Sequence, residues 1–303
     1  MDRRDFLRSG AAASALVAAP RVLTAQAPSA TPAAAPFRMK FAPHFGMFTN
    51  HAGEDLIDQI KFMADQGFTA IEDNNLKRRT PEEQEAIGRE LARLNMEMGV
   101  FVCYNAREAS LTTGKPEFVE DLVKQLEESV EVAKRVNATW MTLVPGHTEH
   151  RLDPEFQTAN IIEALKRGAE VFEPHNLVMV LEPLNHFNHP NHFVRSVPHG
   201  YNICKAVGSP AVKLLDDLYH QQVSIGNLIA NMDLGWSEIA YIQIGDVPGR
   251  KEPTTGEMNY KNIFQHIHDK GYTGILGMEH GVFGEGKEGE MALIKAYREV
   301  DLS

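Results

Sequence analysis

The 303-residue chain contains only two cysteines, too few for a disulfide framework, and we expect Cys103 and Cys204 to be free thiols. Basic residues are also scarce: 30 Lys and Arg stand against 41 Asp and Glu, which gives a formal net charge of −11. This charge disfavours binding to nucleic acid, whose phosphates require a concentrated positive surface. No apolar run approaches the ~20 residues of a membrane span, so stable membrane insertion is not expected. The 43% apolar content is instead typical of a globular enzyme.

The first 27 residues differ from the remainder of the chain. Arg3 and Arg4 precede Phe6-Leu7, an Ala-rich stretch and a small-x-small end at residues 25–27. This layout resembles a cleavable twin-arginine signal and implies a periplasmic or exported protein. A ragged cytosolic N-terminus is the alternative. Residues 28–36 are rich in Ala, Pro and Ser, and we expect a flexible linker there.

From Met39 onward, short apolar runs alternate with polar turns and amphipathic stretches. Apolar residues at Leu122, Leu126 and Val130 follow a helical period, and Thr80-Pro81-Glu82-Glu83 has the pattern of a helix N-cap. Eight runs are predicted to be strands: Lys40–Met47, Phe68–Asp73, Gly99–Asn105, Thr139–Pro145, Leu177–Leu184, Val212–Tyr219, Ile239–Gly245 and Thr273–Glu279.

Eight apolar strands separated by helices predict an α/β fold with a parallel sheet closed into a single (β/α)8 TIM barrel over residues 37–303. A doubly wound open sheet is the alternative, but no G-x-G-x-x-G follows the first strand. In a TIM barrel the chemistry takes place where the strands end and the following loops begin. Polar residues at those positions are therefore candidates for the functional site.

Four consecutive strands of the predicted barrel end in polar residues that are able to bind a cation. Glu182, Asp217, Gln243 and Glu279 would converge there, and a carboxylate inside an apolar strand is costly unless it is paired or bound to a cation. Oxygen ligands of this kind predict a divalent metal, Mn²⁺ or Mg²⁺, with Co²⁺ as a further candidate. Each acid could instead cap a helix or form a surface ion pair.

The segments LEPLN, LLDDLYHQQ, IQIGDVPGRKEPTTGEMNY and LGMEHG resemble the metal-dependent xylose isomerase-like barrels, and most closely their hydroxypyruvate isomerase family. The resemblance extends from about Lys40 to the end of the chain. It implies that the same four residues bind the metal and that His220 and Arg250 contact the substrate. The D-x-Y-H order selects Asp217 over Asp216.

Two departures separate the chain from the ketose 3-epimerases of that superfamily. Gln243 stands where those epimerases have His, and Asn188 stands where they have a second Glu. Both departures favour the hydroxypyruvate isomerase branch. Because Gln is a neutral ligand, the three carboxylates should carry more of the metal binding.

The resemblance implies proton transfer next to a carbonyl, by way of an ene-diolate. Glu182 and Glu279 would be the catalytic residues, one removing the proton and the other returning it. His147 and Asp246, in loops after strands 4 and 7, are further candidates for contact with the substrate. The four histidines His186, His189, His192 and His199 are more simply loop or lid residues than a second metal site.

The predicted function is therefore metal-dependent isomerisation of a small carbonyl or sugar substrate. Export makes hydroxypyruvate itself an awkward substrate, so a 3-keto-glycoside lyase or hydratase and a ketose 3-epimerase remain alternatives. A nuclease would require more His and Asp ligands and a basic groove. Outside catalysis, an exported sugar-binding protein is the alternative. Assembly into a homo-oligomer is compatible with the sequence.

Overall fold

The structure is a computed structural model that describes residues 34–302. The predicted export signal and most of the predicted linker lie outside the described residues. At the end of the linker, the backbone N–H of Ala34 donates to the carbonyl of Asp65 (2.8 Å). Among the described residues, every helix is too short or too polar to cross a bilayer.

The strands and helices mostly alternate along the described chain. The strands are β1 (Lys40–Ala42), β2 (Ala70–Ile71), β3 (Glu97–Met98), β4 (Phe101–Asn105), β5 (Trp140–Val144), β6 (Val178–Leu181), β7 (Val212–Asp217), β8 (Ile239–Gln243) and β9 (Ile275–Gly277). The helices are α1 (Thr49–Ala52), α2 (Leu56–Asp65), α3 (Pro81–Leu94), α4 (Pro116–Val136), α5 (Pro154–Phe172), α6 (Val197–Val207), α7 (Leu218–Ser224), α8 (Leu228–Gly235), α9 (Tyr260–Asp269) and α10 (Gly286–Val300).

Seven of these strands form one parallel sheet in the order β1-β9-β8-β7-β6-β5-β4. The β2–β3 pair fills the gap between its two edges. On one side the N–H of Glu72 donates to the carbonyl of Pro43 (3.0 Å), and on the other the N–H of Asp73 donates to the carbonyl of Val100 (3.3 Å). The sheet therefore curls into the predicted TIM barrel.

The barrel has eight strand positions, here called staves, and β3 and β4 together make the third. The second and third staves are the least regular part of the barrel. Only Ala70–Ile71 of the second predicted strand is in a ladder, and its partner, Glu97–Met98, begins before the third predicted strand. The break between β3 and β4 falls at Gly99, where a Cβ atom would lie 2.3 Å from the hydroxyl of Tyr241. Glycine is therefore required at this position, and the N–H of Gly99 still donates to the carbonyl of Ile71 (2.7 Å), so the chain stays bonded to the second stave across the break.

Helix α3 begins as predicted. The hydroxyl of Thr80 accepts from the N–H of Glu83 (3.2 Å), and the carboxylate of Glu83 accepts from the N–H of Thr80 (2.8 Å). This capping box and Pro81 fix the first turn. Helix α4 places Leu122, Leu126 and other apolar residues against the sheet, as the helical period predicts.

The interior of the barrel is built in two layers. The lower layer is largely apolar and takes one residue from each stave: Ala42, Ala70, Val100, Trp140, Val180, Leu215, Tyr241 and Ile275. Side chains along a strand alternate between its two faces, so the residue two positions later points inward again. These later residues form the upper layer, which consists of His44, Glu72, Val102, Thr142, Glu182, Asp217, Gln243 and Gly277.

Both cysteines are free and buried, Cys103 in β4 and Cys204 in α6, which confirms the predicted free thiols. Burial raises the pKa of each thiol to about 12. Since the thiolate is the reactive form, these cysteines are poor nucleophiles.

Candidate active site

The predicted metal ligands lie at the carboxyl ends of neighbouring strands. Glu182, Asp217 and Gln243 belong to the upper layer, and their exposed fractions are 6%, 0% and 1%. Glu279 lies two residues beyond Gly277 and therefore also points inward. The parallel strands bring together residues that are almost a hundred positions apart in the sequence.

A cavity of about 560 Å³ opens above the upper layer. Glu182 and Glu279 line it together with His220, Arg250, Asn74 and His189. Its volume is in the range typical of small-molecule sites. The cavity is therefore the place where a substrate could reach both predicted catalytic carboxylates.

Arg250 lies between two of the acids. One terminal nitrogen of its guanidinium donates to Asp217 Oδ2 (2.7 Å) and to Glu279 Oε2 (2.6 Å). Arg250 has a left-handed backbone (φ 51°), and its guanidinium lies over the ring of Tyr219 at 4.9 Å. It lines the cavity, as a substrate contact should, but its charge is already shared by two carboxylates.

The two predicted catalytic glutamates differ in their partners. Glu279 accepts from Arg250 and, at Oε1, from the amide of Asn74 (2.8 Å). Glu182 makes no side-chain hydrogen bond to any of the described residues. Burial raises the pKa of Glu279 to about 7, and burial with the nearby charges of Glu279 and Asp217 holds that of Glu182 well above its usual range. A carboxyl group with a pKa near 7, as in Glu279, can exchange protons near neutral pH.

His220 presents a hydrogen-bond donor to the acids. The backbone N–H of Asn185 donates to Nδ1 (3.2 Å), and since a backbone N–H can only donate, Nδ1 must be the acceptor. Burial lowers the pKa of His220 to about 4, so the ring is neutral and carries its proton on Nε2. Nε2 lies 3.9 Å from Glu182 Oε1 and 3.8 Å from Asp217 Oδ2.

The amide group of Gln243 is held by Glu72, another residue of the upper layer. Its amide nitrogen donates to Glu72 Oε1 (2.7 Å), while its own Oε1 is buried and has no hydrogen-bond partner among the described residues. Glu72 is fully buried and also accepts from Tyr241 Oη (2.8 Å). A buried carbonyl oxygen without a partner is costly, and a cation would satisfy it.

The donor set fits a hard divalent cation. Ligand atoms of Glu182, Asp217 and His220 all lie within 4.8 Å of one another, close to the spacing of two ligands on one ion. The proton on Nε2 makes His220 the poorest ligand of that group. We therefore favour the carboxylates of Glu182 and Asp217 with Gln243 Oε1, an oxygen set that suits Mg²⁺ or Mn²⁺. The fourth predicted ligand, Glu279, lies outside the 4.8 Å group and accepts from Arg250 and Asn74.

A second cavity, of about 480 Å³, adjoins the first and shares His189 and Arg107 with it. His147 and His192 line this second cavity. Of the other two predicted loop histidines, His186 packs on Phe187. His199 is not in the loop but in the first turn of α6, where its Nε2 lies 3.2 Å from Thr158 Oγ1. The predicted group of four loop histidines is therefore divided between the cavity wall and the packing around it.

Asp246 is used within its own loop. Its carboxylate accepts from the backbone N–H groups of Val247 (2.8 Å), Gly256 (2.9 Å) and Met258 (3.1 Å), and the residue is fully buried. It lines neither cavity. The structure thus gives Asp246 a different position from the substrate contact predicted by sequence: it holds the loop that carries Arg250.

Comparison with known proteins agrees with this fold. Residues 60–298 match the family model described as the xylose isomerase-like TIM barrel. The chain belongs to the xylose isomerase-like TIM barrel family.

Relatives within the family carry isomerase names. A putative hydroxypyruvate isomerase of Homo sapiens is 31% identical over 178 residues, which cover 57% of this chain and 64% of that protein. A 2-oxo-tetronate isomerase of Pectobacterium atrosepticum is 26% identical over 261 residues, or 82% of this chain and 95% of that protein. Among solved structures, that of AP endonuclease, family 2, from Brucella melitensis has a TM-score of 0.70 and 25% identity, and covers 83% of this chain and 96% of its own.

Three residues of the site in this protein have no clear signal in the amino-acid sequence. Asn74 donates to Glu279, Asn185 sets the proton position on His220, and Glu72 binds Gln243. Glu72 was recognisable only as the last inward residue of the second strand. The asparagines lie two and three residues after inward glutamates, a spacing that becomes informative once the barrel is known.

Proposed function

We propose that this protein is a metal-dependent isomerase of a small hydroxy-carbonyl substrate, of the hydroxypyruvate isomerase type. The observation that carries the proposal is the pair Glu182 and Glu279, two carboxyl groups with raised pKa that face one cavity beside Asp217 and Gln243. The isomerase names of the relatives support the same reaction class.

The chain's own residues supply the proton transfers. Of Glu182 and Glu279, one removes a proton from the carbon that bears the hydroxyl, and the other returns a proton to the former carbonyl carbon, while the hydroxyl proton passes to the former carbonyl oxygen. Arg250 and Asn74 hold Glu279 in place. His220 donates its Nε2–H to the substrate oxygen that gains negative charge. A divalent cation bound by the acids would polarise the carbonyl and acidify the adjacent C–H.

Substrate charge is recognised at the rim of the site. Arg107 lines both cavities, and none of the described residues forms an ion pair or a hydrogen bond with its guanidinium. A planar guanidinium in this state suits the carboxylate of a 2-oxo acid. Arg250, already bound to two acids, is less available for that purpose.

A larger keto-sugar or 3-keto-glycoside is the second candidate substrate, for epimerisation or elimination. The adjoining 480 Å³ cavity favours it, because a three-carbon acid would leave most of that space to water. Both candidates begin with removal of a proton next to a carbonyl, and they differ in where the intermediate is protonated or what leaves.

The proposal is tested by solvent exchange. The purified protein is incubated in D₂O with Mn²⁺ and, in turn, hydroxypyruvate, a ketose and a 3-keto-glycoside, and NMR follows deuterium at the carbon next to the carbonyl. We expect exchange and a new product with one substrate class. Tight binding without exchange would instead identify a sugar-binding protein.

Variants of the two glutamates complete the test. Glu182→Gln and Glu279→Gln should each lower turnover by at least about 100-fold, the usual contribution of a general acid or base. Glu290→Gln changes another buried acid, which lies in α10 and binds the N–H groups of Asn50 and His51. It is the matched control and should keep its activity. Wild-type turnover by either site variant would refute the assignment.

We also propose export through the twin-arginine route, on the basis of residues 1–27. Cell fractionation tests this: the native chain should reach the periplasm, whereas Arg3→Lys with Arg4→Lys should remain inside the cell. Equal distribution of both chains would contradict the proposal.

A further inference from the structure

We propose that Glu72 is a positioning residue that fixes the amide of Gln243 with its carbonyl oxygen toward the cation site. The inference rests on the proposed metal dependence and deepens it. It explains how a neutral side chain can serve as a ligand beside Glu182 and Asp217.

An amide side chain can be turned in two ways that have almost the same shape. One places the oxygen toward a cation, and the other places the NH₂ group there, which repels it. A neighbouring group must therefore select one orientation of the amide through its hydrogen bond. A ligand of this kind is reliable only if that neighbour accepts hydrogen bonds and does not donate them.

Glu72 meets this requirement. Its Oε1 lies 2.7 Å from Gln243 Nε2, and a carboxylate oxygen can accept from the NH₂ end but repels the carbonyl end. The opposite end, Gln243 Oε1, is buried and has no partner among the described residues. The contact joins residues 171 positions apart, from the second and seventh predicted staves.

The carboxylate of Glu72 is itself held in place. Tyr241 Oη donates to its Oε2 (2.8 Å), and His44 Nε2 lies 2.9 Å from its Oε1. Gly277 leaves the space that the carboxylate fills, since a Cβ atom at this position would lie 1.8 Å from Glu72 Oε2. Glu72 is fully buried, so water does not compete for these contacts.

The first measurement is the dissociation constant of Mn²⁺, obtained from the EPR signal of the free ion added to full-length protein stripped with EDTA. Glu72→Leu removes the acceptor and should weaken binding by about 10–100-fold, as is typical when a partner of a metal ligand is lost. Tyr241→Phe removes a bond to the other oxygen of Glu72 but keeps the bond to Gln243, and should change binding by less than about threefold. Thermal unfolding of each variant separates weaker binding from a general loss of structure.

The second measurement reverses the donor and the acceptor. In Gln243→Glu alone, two carboxylates face each other, and we expect weakened Mn²⁺ binding. In Glu72→Gln with Gln243→Glu, the new amide donates to the new carboxylate, whose other oxygen faces the cation. The double variant should bind Mn²⁺ at least about tenfold more tightly than Gln243→Glu, even though it carries less negative charge.

Two results would overturn the inference. One is wild-type Mn²⁺ affinity in folded Glu72→Leu, and the other is binding by Gln243→Glu as tight as that of the double variant. The second comparison remains decisive if Glu72→Leu does not fold. Failure of the wild-type protein to bind Mn²⁺, Mg²⁺ or Co²⁺ would be a different result, since it would refute the proposed metal dependence itself.

Discussion

The lower and upper layers of the barrel interior come from the same strands but have opposite chemistry. Val180, Leu215 and Tyr241 pack into an apolar cluster, whereas the next inward residues on the same strands are Glu182, Asp217 and Gln243. The lower layer stabilises the barrel by burying apolar surface. The upper layer holds carboxylates that are costly to bury.

This difference shows how one strand can serve stability and chemistry at once. The alternation of side chains puts the two functions two residues apart, about 6–7 Å along the strand. Substitutions in the lower layer should therefore affect folding, and those in the upper layer should affect activity. A substitution at a contact between the two layers should affect both.

The largest effect is expected for Asp217→Asn in the upper layer. Loss of this charge should lower turnover on the order of a thousandfold, because several kcal/mol of transition-state stabilisation depend on the cation that the acids hold. Asp216→Asn, on the other face of the same strand, is the matched control and should remain active. Steady-state kinetics with Mn²⁺ measures both. Equal losses would mean that strand β7 tolerates neither change and that the separation fails.

Gly277→Ala is expected to damage both layers. Its Cβ would lie 1.8 Å from Glu72 Oε2, so the carboxylate must move and lose its bonds to Tyr241 and Gln243. We expect a loss of about 3 kcal/mol or more in the free energy of unfolding, together with weaker Mn²⁺ binding. Chemical denaturation and metal titration measure the two effects.

Leu215→Ala changes the lower layer alone. Removal of this fully buried side chain should cost about 3 kcal/mol of unfolding free energy, through lost apolar burial and the cavity that remains. The folded fraction should keep turnover close to that of the wild type. Denaturation curves and kinetics below the unfolding midpoint test this. A large loss of turnover in the folded protein would show that the layers are coupled.

The smallest effect is expected from a fall in pH, through protonation of His192 in the wall of the second cavity. Burial lowers the pKa of His192 to about 3, from an ordinary value of 6.5. The unfolded chain therefore binds this proton first, so the stabilisation is present above pH 6.5 and is lost as the pH falls toward 3. His192 alone should account for about 2 kcal/mol of the loss between pH 7 and pH 5. His192→Asn should show a correspondingly shallower dependence of unfolding free energy on pH, and an unchanged slope would contradict the prediction.

Local patterns predicted much of this fold. Apolar runs located the staves, and Thr80 with Glu83 marked the start of α3. The short ladder between the second and third staves was not predicted. Gly99 there lies against Tyr241, 142 positions later, a contact that local periodicity does not contain.

The site was predictable only where chemistry coincides with the end of a strand. Glu182 and Asp217 are conspicuous because a carboxylate is rare in an apolar strand. Asp246 has the same appearance in the sequence, but its carboxylate binds three backbone N–H groups of its own loop. The contact of Glu72 with Gln243 requires knowledge of which staves face each other, and periodicity does not contain that information.

Asp217 also links the site to the helix that follows it. Its Oδ1 accepts from the N–H of His220 and caps α7, while its Oδ2 faces Arg250 and the site. A ligand that immobilises this carboxylate also tightens the first turn of α7. Occupancy of the site should therefore slow amide hydrogen exchange in residues 218–224, which gives a record of binding that does not depend on turnover.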